Sequence, residues 1–97
     1  MTAMMEIKAA AELGARSILD GSVADVQVAP DTDNDGDEVV RVTVILHDDA
    51  LDLINDLQFF DTLIAIKKTI RATGESRPAM VNYATPSELA DDADPES

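Results

Sequence analysis

One short segment of the chain has residue types and a spacing that could bind a cation. In Asp31-Thr32-Asp33-Asn34-Asp35-Gly36, carboxylates alternate and a glycine follows. This matches the first half of a calcium loop, in which alternating carboxylates converge on a hard cation and the glycine permits a sharp turn. Position 12 of such a loop, counted from Asp31, is Val42, where an EF-hand needs a bidentate Glu. Strands are predicted on both sides of the loop, whereas helices flank an EF-hand. Asp31, Asp33 and Asp35 are therefore weak calcium candidates, and the alternative is a solvated hairpin tip whose charges oppose edge-to-edge association.

The other polar residues do not form a recognisable catalytic motif. His47 is the only histidine and the chain has no cysteine, which leaves a poor ligand set for zinc and no thiol nucleophile. Ser76 and Ser87 lack the Gly-x-Ser-x-Gly setting of an activated serine. A glycine-rich phosphate loop and a cofactor fingerprint are also missing from the sequence. We therefore expect a protein that is not an enzyme and that needs no cofactor.

Acidic residues dominate the charge of the chain. There are 20 of them against 7 basic residues, giving a net charge of −13, and most fall in the segments 31–38, 48–61 and 88–96. Such a surface repels phosphate and attracts basic proteins, so neither nucleic acid nor an anionic membrane is an expected partner. The sequence predicts no membrane span and no secretion signal, and the lack of cysteine fits a cytoplasmic location. The alternative is that the acidity only keeps the protein dissolved.

These observations lead to the hypothesis of a small acidic module that neutralises or regulates a basic protein. Nuclease inhibitors, antitoxins and phage-encoded blockers of host defence have this physical character. The predicted binding residues are Asp31, Asp33, Asp35, Asp37, Glu38, Asp48, Asp49, Asp52 and Asp56. Two competing hypotheses are a calcium-binding hairpin and a homo-oligomeric structural module, in which a helix face or an outer strand forms a homodimer.

The longest helical pattern runs from Asp48 to Gly74, with the two aspartates at 48 and 49 as expected caps and Gly74 as the expected C-terminal cap. It contains two apolar stripes about a quarter-turn apart. They are Leu53, Leu57, Phe60 and Ile64, and Phe59, Leu63, Ile66 and Ile70. Because the stripes overlap only in the middle, two structures are expected. Either the helix bends or breaks, or its own sheet covers one side and a second subunit covers the other.

The other predicted elements are a helix over about Thr2–Asp20 capped by Gly21, and strands at Val23–Ala29, Val39–Leu46 and Ala79–Ala84. Pro30 should end the first strand, and Gly14 should permit another backbone to approach the first helix. The expected fold class is α+β, a three-stranded sheet (a β-hairpin plus a C-terminal strand) with two or three helices on one face, in the order α-β-β-α-β or α-β-β-α-α-β. Residues 1–89 should form one domain and 90–97 a disordered acidic tail.

The order with a broken helix is similar to that of type II KH domains. The RNA-binding loop of that family has Gly-x-x-Gly between its two central helices, and no glycine lies between Gly36 and Gly74. The resemblance therefore covers element order alone, and no functional residue is carried over.

Overall fold

The computed structural model describes residues 3–87, and their helices and strands follow the predicted order α-β-β-α-β. The elements are α1 (Met4–Leu19), β1 (Val23–Thr32), β2 (Glu38–Leu46), α2 (Asp56–Ala72) and β3 (Ala79–Ala84). Short 3-10 turns, Asp20–Ser22 and Asp48–Leu53, follow α1 and β2. The fold class is thus confirmed as α+β. The predicted tail and the last residues of the predicted domain lie outside the described residues.

β2 is the central strand of the sheet, as its apolar alternation predicted. The strand order is β1-β2-β3, with β1 antiparallel to β2 and β3 parallel to it. Alternate residues of a strand face opposite sides of a sheet. On one side of β2 the core contains Val40, Val42, Val44 and Leu46, all fully buried together with residues of α1 and α2. Val39 and Ile45 on the other side are also buried.

Two predicted boundaries were wrong. β1 does not end at Ala29 but continues through Pro30, which pairs with Val40 in the β1–β2 ladder. Among residues 3–87, β1 is an edge strand that pairs only with β2, so the missing proline N–H is tolerated. At the end of α1 it is Asp20 rather than Gly21 that takes a positive φ, of 46°, and aspartate is one of the residues that do so most readily.

The long helical pattern breaks before Asp56. The side-chain oxygen of Asn55 accepts a hydrogen bond from the Gln58 N–H (2.8 Å), and the Gln58 side chain accepts one from the Asn55 N–H (3.0 Å). This capping box starts α2, so the expectation that Asp48 and Asp49 cap the long helix was wrong. The break contains no Gly-x-x-Gly. Gly74 follows the C-terminus of α2 with φ 96°, as predicted.

α1 crosses α2 at Gly14, where the two backbones approach closely. A Cβ at this position would lie 2.8 Å from the Cα of Ile66 and 2.9 Å from the carbonyl oxygen of Ala65. Real Cβ atoms do not come that close to backbone, so no larger residue fits without moving the helices apart. The prediction that Gly14 permits a close approach is confirmed.

The N-terminal half of α2 is held to β3 by one aromatic pair. The Tyr83 hydroxyl donates to the carbonyl oxygen of Phe59 (3.0 Å), and the two rings meet edge to face with their centroids 4.8 Å apart. Burial raises the pKa of Tyr83. Phe59 therefore faces the sheet, while the adjacent Phe60 is exposed.

We expect Gly14→Ala to lower the free energy of unfolding by about 1–3 kcal/mol, the usual cost of overpacking. Gly21→Ala is the matched control, because nothing lies within 4 Å of a Cβ at that position; its effect should stay within about 0.5 kcal/mol. Urea unfolding followed by circular dichroism measures both. Equal stability of the two variants would contradict the close helix crossing.

Candidate partner-binding surface

The nine predicted binding residues do not form one site. Asp31 to Glu38 lie where β1 turns into β2, and Asp48 to Asp56 follow the other end of β2. A nine-residue strand separates the two groups, which corresponds to about 30 Å. They are therefore two separate surfaces with different surroundings.

The first surface is the hairpin tip, residues 33–37. One carboxylate oxygen of Asp33 accepts from the backbone N–H groups of Asp35 and Asp37, both at 2.9 Å. Gly36 completes the turn with φ 85°, a conformation that glycine adopts without strain. Asp33, Asp35 and Asp37 each offer an oxygen within 4.8 Å of the others. Asp33 thus helps to shape the turn, and the tip presents charge without any apolar side chain.

Asp31 and Glu38 both interact electrostatically with basic residues at the base of the hairpin. The Arg41 Nε donates to a carboxylate oxygen of Asp31 at 2.8 Å. Hydrogen bonds from Arg41 and from the Thr32 N–H hold the pKa of Asp31 below its ordinary value of 3.8. The charge of Glu38 acts on Arg77 and helps to raise its pKa. These two acids already have basic neighbours within the chain.

The second surface is the acidic end, which we define as Asp48, Asp49, Asp52 and Asp56. All four are exposed, and Asp48 accepts a hydrogen bond from the Ser87 hydroxyl at 2.9 Å. No salt bridge within residues 3–87 involves any of them. Two apolar side chains are exposed in the same 3-10 turn. Leu53 is 78% exposed and Leu51 39%.

The acidic end continues into a row of apolar residues on α2, which we call the exposed stripe: Leu57, Phe60 and Ile64. They are 66%, 57% and 38% exposed. The other predicted stripe faces the core through the buried Ile66 and Ile70. The sequence thus contained both stripes, but periodicity alone did not show which one the sheet would cover.

The exposed stripe leads to a group of basic residues, the cationic cluster of Lys67, Lys68 and Arg71. The other four basic residues of the chain, Lys8, Arg16, Arg41 and Arg77, form salt bridges, whereas these three form none within residues 3–87. Together with Ile64 they line an open cleft of about 240 Å³. None of the three was a predicted site residue. The signal in the sequence is that three of the seven basic residues fall within five positions.

The turn between α2 and β3 contains a buried ion pair with a structural role. The Arg77 Nε and Nη2 donate to the two carboxylate oxygens of Glu75 at 2.8 and 3.1 Å, and this pairing raises the pKa of Arg77. Side-chain exposure is only 11% for Arg77 and 2% for Glu75. A buried pair of this kind fixes the turn, because removal of either partner leaves an uncompensated charge.

Ser87 donates to Asp48 and not to His47, so this contact gives the serine no imidazole base. Compared with models of known protein families, with curated proteins and with solved structures, the chain has no significant match. Within residues 3–87, neither helix has both the length and the apolar character needed to cross a bilayer.

We expect calcium to bind the hairpin tip no more tightly than about 10⁻⁴–10⁻³ M, the range of weak calcium sites. One oxygen of Asp33 is occupied by the turn, Asp31 is held by Arg41, and position 12 is the buried Val42. Calorimetric titration measures this. A micromolar heat signal that Asp35→Asn/Asp37→Asn removes would restore the calcium-loop hypothesis.

The ion pair of Asp31 predicts a pH dependence. Because its pKa is lowered in the folded state, its contribution to stability is complete above the unfolded value of about 3.8 and is lost as the pH falls through the lowered pKa. NMR titration of the Asp31 carboxyl carbon should give a midpoint below 3.8, and Arg41→Gln should raise that midpoint. Lys8→Gln, which removes the cation near Asp25 instead, is the control and should leave it unchanged. A midpoint unaffected by Arg41→Gln would rule out the pairing as its cause.

Proposed function

We propose that this protein is a non-enzymatic protein-binding module that recognises a basic protein through its acidic end. The observation that carries the proposal is that the acidic end combines exposed carboxylates with exposed apolar side chains. Three exposed aspartates and two exposed leucines lie on one short 3-10 turn, and the fourth exposed aspartate, Asp56, begins α2 three residues later. The lack of cysteine fits a partner that is met in a reducing compartment such as the cytoplasm.

The combination of charged and apolar groups favours the acidic end over the hairpin tip. Binding energy in protein interfaces comes mostly from a few well-buried side chains at the centre, and the charged rim contributes steering and specificity. Leu51 and Leu53 can provide such a centre. The hairpin tip, residues 33–37, contains only aspartate, asparagine and glycine, so its expected contribution is long-range attraction.

The chemistry of the acidic end also describes the partner. The partner should present lysine or arginine side chains around a small apolar surface, as a basic helix or a cationic groove does. A cationic groove of this kind also attracts phosphate groups. An acidic module bound there would compete with nucleic acid, and regulation or inhibition of the partner would follow from that competition.

The test compares two variants with the same change in charge. Asp49→Asn/Asp52→Asn alters the acidic end, and Asp35→Asn/Asp37→Asn alters the hairpin tip, about 30 Å away. Each is used for affinity capture from a lysate of the source cells, at about 0.1 M and about 1 M salt, where the Debye length falls from about 10 to about 3 Å. Bound proteins are identified by mass spectrometry, and their affinities for the parent and both variants are then measured.

We expect basic proteins that bind the parent at low salt and are lost at high salt. Asp49→Asn/Asp52→Asn should weaken this binding at least tenfold, which corresponds to about 1.4 kcal/mol. The tip variant should weaken it only slightly. Equal weakening by both variants would mean that overall charge, rather than the acidic end, attracts the partner. Binding that is unchanged by salt and by both variants would refute the proposed function.

A further inference from the structure

The exposed stripe and the charges around it also point to a second binding event, which involves another copy of the chain. We propose that the exposed stripe of α2 binds the same stripe of a second copy, with the two helices antiparallel. The two proposed surfaces share Asp56, but Asp48, Asp49 and Asp52 lie before the helix and outside the proposed contact, so self-association is measured on the purified protein without the basic partner.

The first support is the distribution of charge along α2. Asp56 and Asp61 flank the stripe in the N-terminal half, and the cationic cluster lies in the C-terminal half. All of these residues are exposed. Antiparallel pairing places the acidic half of each helix against the basic half of the other, whereas parallel pairing would place like charges together. A two-fold symmetric contact requires a surface that is complementary to itself, and this one is.

The second support is that the charges lie on matching edges of the stripe. Asp56 and Lys67 are about three helical turns apart and so lie on the same edge, and Asp61 and Lys68 are about two turns apart on the other edge. A two-fold axis perpendicular to α2 brings each edge opposite the same edge of the second copy. With the axis near the middle of the stripe, Asp56 then faces Lys67 of that copy. Asp61 lies close to the axis, about 6 Å along the helices from Lys68 of that copy, which a lysine side chain can span.

The third support is the fit of the apolar residues. With the axis near residues 62 and 63, Phe60 of one copy lies opposite Ile64 of the other. Leu57 then enters the open cleft lined by Ile64, Lys67, Lys68 and Arg71. The aliphatic parts of lysine side chains cover apolar surface while their charged ends stay in water. Each stripe would therefore be covered by its counterpart.

The fourth support is that the cationic cluster has no salt bridge within residues 3–87, although the chain has 20 acidic residues and only 7 basic ones. Its three members lie beside the most apolar part of the outer surface of α2. A second copy would bring Asp56 and Asp61 close to the cationic cluster and its own exposed stripe against the apolar residues beside the cluster.

The test exchanges charges at the two ends of the stripe. Asp56→Lys/Asp61→Lys makes both halves of α2 basic, and Lys67→Glu/Lys68→Glu makes both halves acidic. Sedimentation velocity over a wide concentration range should show that the parent dimerises. Each variant alone should dimerise at least tenfold more weakly than the parent. An equimolar mixture should form a heterodimer, because the basic stripe of one variant then faces the acidic stripe of the other.

Disulfide trapping tests the direction of the helices, and the absence of native cysteine makes single substitutions clean. Ile64→Cys lies close to the two-fold axis, so two copies should be oxidised readily to a linked dimer. Leu57→Cys is the control. In an antiparallel pair its two sulfur atoms would be more than about 15 Å apart along the helices, too far for a disulfide.

Circular dichroism and urea unfolding of each variant establish that the changes on this exposed face leave the fold intact. A parent that stays monomeric at every concentration overturns the proposal, as does a mixture that fails to form heterodimers. Equal trapping at both cysteine positions indicates parallel helices and also overturns it. If only Lys67→Glu/Lys68→Glu changes the sedimentation of the protein, the occupant is the acidic segment 88–97 and not a second copy.

Discussion

The close contact between Gly14 and the backbone of Ile66 determines how the rest of the molecule is presented. It lets α1 and α2 approach more closely than any side chain at position 14 would allow, and the contact point determines which face of α2 is turned towards α1. Ile66 and Ile70 point into the core. Ile64, two positions before Ile66, therefore lies on the opposite side of the helix, together with Leu57 and Phe60. The solvent exposure of Leu57, Phe60 and Ile64 is therefore a consequence of where a single glycine lies on the opposite helix.

The charged residues of this protein fall into two groups, those that stabilise the fold and those that remain available on the surface. The carboxylates of Asp31, Asp33 and Glu75 accept hydrogen bonds that hold a strand pair, a turn and the connection to β3. Four of the seven basic residues are in salt bridges within the fold. What remains is an acidic end, an apolar stripe and a cationic cluster along one side of the molecule. Net charge alone suggested a uniformly acidic body, but the outer face of α2 has both signs.

Much of the fold could be predicted because its determinants are local. The alternation from Val39 to Leu46 specified a central strand, and Gly14 on an apolar stripe specified a close helix contact. A broken helix was one of the two expected structures, but the position of the break was not predicted, because Asn55 and Gln58 were not recognised as a capping box, although the spacing Asn-x-x-Gln is visible in the sequence. The acidic residues were predicted as one set of binding residues, although the predicted strand Val39–Leu46 already separates those at 31–38 from those at 48–56. The periodicity of apolar residues could not show which stripe of α2 is buried, because that depends on how the neighbouring elements pack against the helix.

The parallel pairing of β3 with β2 has a consequence for the order in which the chain folds. The β1–β2 hairpin joins segments close in sequence, whereas Val40 pairs with Ala79 from the far side of α2. Closing that longer loop costs more chain entropy before any ladder hydrogen bond forms. The hairpin and the two crossed helices can therefore assemble first, and the short β3 docks afterwards onto an edge that is already in place. The same strand is then the natural point at which the native structure begins to open.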